Sequence, residues 1–482
     1  MSKPRQPFSR LAPLAAALLL AGCAVGPDYA RPELDLPQTW PLRATAAPEA
    51  ATSADRAGER WWALYADPTL DRLIDEALAH NADARVAAAR VLEARAQAGI
   101  ADADLYPSIS AGLSGSRSQS TLRGAMPAAA GQPRIQNSYR GTLDVAYEVD
   151  FWGKYRRASE AARADLLAAG SAREAVLLTL TAQVAQQYFA LLAADAQEGV
   201  ARRTLASREE TRALFSRQVA AGIAAEYDLH QIDADAADAR ARLAELTEAR
   251  DRHESALALL LGRAPRAVML DSPERGAPTA LPAPAVPAGL PAALLLRRPD
   301  LQEAEQRLIA ANARIGAARA QYFPSVGLTA YLGSESTAFS DLFSGPAGIF
   351  QFAAAITQPI WDAGRIGFGV DAAEARREQA LAQYRQAVAA AFKDVRDALA
   401  AQRAAGERLT AETARAEALG KALTQARQRY DAGIAGRLDV LDVERNLLAV
   451  ELARIDSERA RRAALADLFK ALGGGWSTPA DG

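Results

Sequence analysis

The sequence predicts an α+β membrane protein in which short β-strands cross a bilayer and very long helices lie outside it. Three observations predict this class. Four short segments alternate apolar and polar residues with period 2. Two proline-free tracts carry apolar residues at coiled-coil spacing. The chain also repeats itself internally, so each half owns the same parts. Of 482 residues, 50% are hydrophobic and 24% charged, a balance that supports a packed fold. A net charge of −2, with no basic stretch interleaved with aromatics, gives no footprint for nucleic acid.

The elements follow in order. Lys3, Arg5 and Arg10 form a basic region ahead of the apolar run Leu11–Leu20, and the small residues Ala21 and Gly22 follow. Residues 1–22 therefore read as an export signal peptide, the apolar run being too short to span a bilayer as a helix. Cys23 is the single cysteine of the chain and cannot close an internal disulfide. "LAGC" resembles a bacterial lipobox. That resemblance implies cleavage before Cys23, then an N-acyl (palmitate-type) chain and an S-diacylglycerol on that residue. Ala24, in place of an aspartate, favours transfer to the outer membrane by the same resemblance. Residues 23–60 are expected to be a lipidated linker.

Two halves come next, 61–264 and 292–474, joined by a proline-rich connector at 265–291 and followed by a tail, 475–482. Aligning Pro107 with Pro324 also pairs Asp83 with Asp300, Ala94 with Ala311 and Ser108 with Ser325. "AGIAAEYDL" (221–229) matches "AGIAGRLDV" (432–440). The density of proline in the connector excludes regular helix through most of it.

Each half reads helix, strand pair, very long helix, turn, helix. A first helix is expected over 68–104, with Asp67 as N-cap and Pro68 at its first position. No proline falls between Gly153 and Gly222. At ~1.5 Å per residue such a helix is about 100 Å long, more than a compact domain needs. Its apolar positions include Leu177, Leu180, Val184, Tyr188 and Leu191, and the second half has Leu381, Tyr384, Val388, Phe392, Val395 and Leu399.

The strand pairs are expected at 107–116/141–151 and 324–334/349–358. In 141–151, Leu143, Val145, Tyr147, Val149 and Phe151 alternate with Thr142, Asp144, Ala146, Glu148 and Asp150. That pattern suits strands with one face to lipid and the other to a lumen, which places Asp144, Glu148 and Asp150 in the lumen. Four strands cannot close a membrane barrel, and an open edge in lipid leaves backbone groups unpaired. The chain must therefore oligomerise. Two copies give an eight-stranded barrel filled by side chains; three give a wider, water-filled one, which the lumen carboxylates favour.

Several motifs in order carry a resemblance over nearly the whole mature chain: "CAVGPDYARP", "LYPSIS", "YEVDFWGK", "LLLRRPDLQEAE", "FPSVGL", "TQPIWDAGR" and "RYDAGIAGRLDVLDVERNLL". The sequence resembles the TolC-like outer membrane factor family, in its OprM/NodT-type lipoprotein branch. The resemblance implies a trimeric 12-stranded outer-membrane β-barrel, four strands per protomer, continuous with a long periplasmic α-helical coiled-coil barrel. It implies a homotrimer working with a periplasmic adaptor protein and an inner-membrane RND-type transporter. It also implies a gate at the inner end. Arg429, Tyr430 and Asp442 match the family's motif of Arg-Tyr and a later Asp, and Leu438 and Arg445 match a second, narrowing pair. Arg437 departs from the family's aromatic or polar residue and adds positive charge, which Asp439 is expected to offset. Charge-assisted arginine–carboxylate bonds are directional, yet exposed pairs are individually weak, which suits a gate a partner can open.

Little else carries chemistry. His80, His230 and His253 are scattered without metal spacing, and no phosphate loop or nucleophile elbow occurs. The sequence thus predicts no enzyme, no metal and no cofactor beyond the lipid. The expected function is the outer-membrane channel of a tripartite efflux system, passively conducting drugs or other small toxic compounds. A type I protein-secretion duct and a non-conducting structural lipoprotein are the alternatives.

Overall fold

The structure is a computed structural model, which describes residues 24–34, 60–121, 123, 133–276 and 298–474. The expected signal peptide, Cys23, residues 35–59 of the expected linker, residues 277–291 of the connector, residues 292–297 at the start of the second half and the tail 475–482 lie outside the described residues.

After a 3-10 turn at Trp61–Tyr65 come α1 (Pro68–His80), α2 (Ala82–Ala103), β1 (Ser108–Gln119), β2 (Ile135–Val149), α3 (Lys154–Ala220) and α4 (Glu226–Leu260). Then follow α5 (Pro265–Leu270), α6 (Pro299–Ala320), β3 (Ser325–Ser336), β4 (Gly348–Thr357), α7 (Arg365–Asp431) and α8 (Arg437–Ala471). The duplication is written in element lengths. α2 and α6 have 22 residues each, β1 and β3 have 12, α3 and α7 have 67, and α4 and α8 have 35.

Four details differ from the sequence expectation. The helix expected over 68–104 breaks at Asn81, whose backbone leaves the helical region (ψ 138°). Its side-chain oxygen accepts from the amides of Asp83 (2.8 Å) and Ala84 (3.1 Å), so it caps α2. β1 and β2 extend their ladder to the Gln119–Ile135 pair, past the expected ends. Serine, arginine and glutamine there satisfy the backbone ladder as well as apolar residues do, so alternation stops before pairing does. β2 itself ends at Val149, so Asp150 and Phe151 are not in the strand. The connector opens with the short helix α5, since Pro265 sits at its start, where no backbone donor is needed. By composition α3 also contains a stretch long and apolar enough to cross a membrane. Half of that stretch is buried inside the protein. Val184, Tyr188 and Leu191 of the same helix belong to the main core.

The chain divides into two compact units. The first comprises the described residues within Met1–Glu33, Val91–Ala169 and Ala304–Tyr384. It holds one antiparallel sheet in the order β1-β2-β3-β4. Ala161 and Ala164 of α3 pack on Ala310 and Ala313 of α6, small residues that allow close helix approach. An extended strap, residues 24–31, lies on this unit. The Val25 amide donates to the Trp152 carbonyl (3.0 Å), and the Asn312 side chain donates to Pro27 (2.9 Å). Arg157 pairs with Asp28 (2.6 Å), while Tyr29 (3.0 Å) and Arg31 (2.6 Å) both donate to Glu305.

The second unit comprises the described residues within Leu34–Arg90, Gly170–Glu303 and Arg385–Gly482. Its core gathers Trp61, Tyr65, Leu70 and Ile74 with Tyr188, Phe189, Leu257 and Phe469. Trp61 stacks on Phe469 at 5.3 Å. Asp67 caps α1 and accepts from the buried Tyr188 hydroxyl at 2.7 Å. Both long helices end alike in this unit. Gly222 and Gly433 each adopt φ 71° after the last turn, and the next amides, Ile223 and Ile434, reach back to Gln218 (2.8 Å) and Arg429 (2.9 Å). This is the left-handed glycine C-cap, and it turns each helix into its partner.

Candidate functional site

The register of the sheet sorts its side chains. Val145 lies opposite Ile109 and Ala330, and Leu143 opposite Ala111 and Leu332. Leu332, Ala330, Leu328 and Val326 face Phe350, Phe352, Ala354 and Ile356. All these apolar residues fall on one face, because antiparallel partners share a face and neighbours along a strand do not. The opposite face carries Ser110, Thr142, Asp144, Glu148, Tyr331 and Glu335.

Aromatic residues mark one end of the sheet. Tyr106, Trp152, Phe323 and Trp361 stand beside the four junctions between helices and strands. All four are exposed, Trp361 at 88%. Trp152 stacks on Phe323 at 4.6 Å and donates its indole N–H to Pro324 (2.8 Å). Tyr139 and Phe339 pair edge-to-face at 5.6 Å at the other end. Two aromatic girdles around an apolar band are the signature of a membrane-spanning sheet.

On the polar face, Asp144 accepts from Thr142 (2.9 Å). Glu148 accepts from Tyr155 (2.9 Å) and Lys154 (3.1 Å). Arg140 lies 3.4 Å from Glu335, with its guanidinium 4.4 Å from the Tyr331 ring centre. Asp150 does not share this face, contrary to expectation. It sits past the strand end and accepts from the amides of Tyr155 (3.2 Å) and Arg156 (2.9 Å), so it caps α3. Among the described residues neither β1 nor β4 has a strand on its outer edge. Every residue of β1 is exposed.

The second candidate region surrounds the turn between α7 and α8, in the other unit. Arg429 is exposed, and the Arg437 guanidinium lies 5.8 Å from the Tyr430 ring centre. Leu438 is exposed. Asp442 is exposed and accepts from Asn446 (3.3 Å), one turn on. Arg429 and Asp442 are not joined within one chain. Asp439 does not offset Arg437: its carboxylate accepts from the Gly436 amide (3.2 Å) and caps α8. Arg437 reaches Thr211 (3.3 Å) and approaches Glu444 (3.9 Å) instead. Arg445 hydrogen-bonds Asp235 of α4.

Sequence reasoning missed the centre of this region. Arg208 of α3 is buried, 3.0 Å from Glu444 of α8 and 3.9 Å from Asp235. Burial pulls its guanidinium below the usual arginine value, and the two carboxylates partly restore it. Arg427 of α7 also holds Glu444 (2.9 Å). The network thus ties four helices. Its only sequence signal is charge at helical positions that otherwise face a neighbour, which spacing cannot separate from a solvated face. Among the described residues, no group of three or more His, Cys, Asp or Glu could hold a metal.

Known proteins fit this geometry. Residues 73–263 and 290–474 match the outer membrane efflux protein family. The chain is 37% identical over 474 residues to the cation efflux system protein CusC of Escherichia coli O6:H1, covering 97% of this chain and 99% of that protein. It is 37% identical over 475 residues to the probable outer membrane lipoprotein SilC of Salmonella typhimurium, with the same coverage. It is 36% identical over 461 residues to the toluene efflux pump outer membrane protein TtgC of Pseudomonas putida, covering 95% and 94%. The crystal structure of the Campylobacter jejuni CmeC outer membrane channel superposes with a TM-score of 0.88 at 25% identity, covering 95% of this chain and 96% of that one. A two-faced sheet between aromatic girdles, long paired helices and these likenesses agree: the chain belongs to the outer membrane efflux protein family and is an outer-membrane channel component of efflux.

Proposed function

We propose that three copies of this chain form a passive duct, which receives its substrate from an inner-membrane RND-type pump through a periplasmic adaptor protein. The observation that carries this reading is the sheet register, which puts every apolar row on one face and, among the described residues, leaves both edges open. An open edge is not tolerated in lipid. With four antiparallel strands per copy, β4 of one copy runs antiparallel to β1 of the next, so a ring closes without a parallel seam. Arg140, Asp144, Glu148 and Tyr331 are too bulky and polar for a filled eight-stranded interior, which favours twelve strands around water.

Cys23 carries the N-acyl and S-diacylglycerol lipid in this reading. The relative named as an outer membrane lipoprotein supports it, as does the strap, whose Ala24 lies against Gly153 beside Trp152. Arg429, Tyr430, Leu438, Asp442 and Arg445 form the periplasmic gate. Arg429 and Asp442, unlinked within a chain, are free to pair between copies.

The duct conducts drugs or other small toxic compounds, with selection made upstream at the pump. Similar identity to a relative named for toluene and one named for cations fits a conduit that does not choose. The second reading, a cation duct, is favoured by the CusC name and by Asp144 on the polar face. The test of the assembly is mass in detergent together with planar-bilayer recording. The expected result is three copies per particle and discrete conductance steps. A monomeric inserted species, or a trimer that never conducts, defeats the proposal.

A further inference from the structure

The outer ends of the two hairpins differ in charge. Between Asp104 and Asp144 the sequence has no acidic residue but four arginines: Arg117, Arg123, Arg134 and Arg140. Between Arg319 and Arg365 it has no basic residue, while Glu335 and Asp341 lie in that stretch. Arg140 points to the polar face and is held by Glu335 and Tyr331. Arg117, Arg123 and Arg134 are exposed and have no carboxylate partner among the described residues. The loop between Arg123 and Arg134 contains no carboxylate in its sequence.

Arg117 is the informative one. It follows Ile109, Ala111, Leu113 and Gly115 in steps of two, so it shares their lipid-facing side. In register it lies opposite Asn137. One rung toward the membrane, Gly115 lies opposite Tyr139, which pairs with Phe339. Phe339 and Phe343 are exposed large aromatics, Phe343 at 82%. A cation and an amide thus emerge on the lipid side, just beyond an aromatic girdle that marks the membrane surface. The opposite end of the sheet feeds the long helices, so this end faces the exterior. There the outer leaflet of a Gram-negative outer membrane presents phosphorylated glycolipid.

We infer that Arg117, with Asn137 beside it and Arg123 at the loop, binds the phosphates of that glycolipid, while Tyr139, Phe339 and Phe343 meet its acyl chains. Arginine forms two parallel bonds to phosphate and is less tightly hydrated than lysine, so it suits a headgroup at a membrane surface. The inference rests on the outer-membrane orientation of the proposed duct. Labelling a Ser120→Cys variant in intact cells with a membrane-impermeant maleimide checks that orientation by itself. External labelling is expected, and labelling only after lysis overturns both readings.

The binding test uses purified trimer in detergent, with bis-phosphorylated lipid A as probe and dephosphorylated lipid A of the same acyl pattern as comparison. Retained lipid is read by native mass spectrometry across a salt series. Wild type is expected to bind the phosphorylated form about tenfold more tightly, with the difference shrinking as salt rises. The Arg117→Ala/Arg123→Ala variant should bind both forms alike, and Arg117→Lys should recover part of the preference. Equal binding of both lipids by wild type, or an unchanged preference in the double variant, overturns the inference. So does a double variant that falls apart into monomers, since these arginines then hold the acidic hairpin of a neighbouring copy. The salt series on wild type keeps the test decisive if the variant fails to fold.

Discussion

Single residues at the α7–α8 turn show how a matched motif divides into local and non-local work. Asp439 is consumed by capping α8, and Arg437 is drawn toward Thr211 and Glu444. Arg429 and Asp442 remain exposed, so they are the side chains available to a neighbouring copy. In the proposed gate their pairs between copies would be solvated and worth about 0–1 kcal/mol each, while the four-helix core carries stability. Asp442→Ala, and separately Arg429→Ala/Tyr430→Phe, should therefore raise planar-bilayer conductance several-fold with little change in melting temperature. Cells carrying them should admit vancomycin. Assembled trimers that conduct like wild type would place the gate elsewhere. Arg208 behaves differently, because its charge is buried and met by Glu444; truncating Glu444 leaves that guanidinium with Asp235 alone at 3.9 Å and destabilises the turn region itself, whereas truncating Arg208 leaves Glu444 still held by Arg427.

Among the elements, the strap depends on two glycines. Gly26 has φ 115°, and a Cβ on it would fall 2.4 Å from Gly316 Cα. A Cβ on Gly316 would fall 2.6 Å from the Val25 carbonyl oxygen. No rotamer relieves a clash with backbone, so Gly316→Val should expel residues 24–31 from their seat. Metabolic palmitate labelling should persist in that variant, because Cys23 is untouched, while the strap becomes sensitive to limited proteolysis. Cys23→Ser should abolish the labelling. Labelling that survives Cys23→Ser refutes the lipid site, and a strap that stays protected in Gly316→Val refutes the glycine contact. Asn81 makes a related point about elements: an asparagine within an apparently continuous helical pattern signals a break only when its side chain turns back to cap the next helix.

For the whole molecule, threefold repetition multiplies small charges. Glu148 is partly neutralised by Lys154 and Arg140 by Glu335, whereas among the described residues Asp144 has only Thr142. Three copies of Asp144 would leave the lumen net negative. Reversal potentials in a salt gradient should show cation preference, and Asp144→Asn should reduce it by about twofold or more. A wild-type duct with no preference, or an unaltered one in Asp144→Asn, removes Asp144 from the conduction path.

Much of the architecture was legible in the residues. Period-2 runs such as Leu143 to Val149 announce a two-faced strand, because the pleat ties side-chain direction to sequence parity. The tracts without proline announce the long helices, and the duplicated "AGIA" announces two matching turns. The break at Asn81, the escape of Asp150 from the strand and the burial of Arg208 between Glu444 and Asp235 were not legible. Each is a choice between a local bond and a distant one, and only packing decides it. Sequence periodicity reports which face a residue takes on its own element. Which element comes to meet that face depends on contacts across more than two hundred residues, from Arg208 to Glu444, and that was settled only by the tertiary structure.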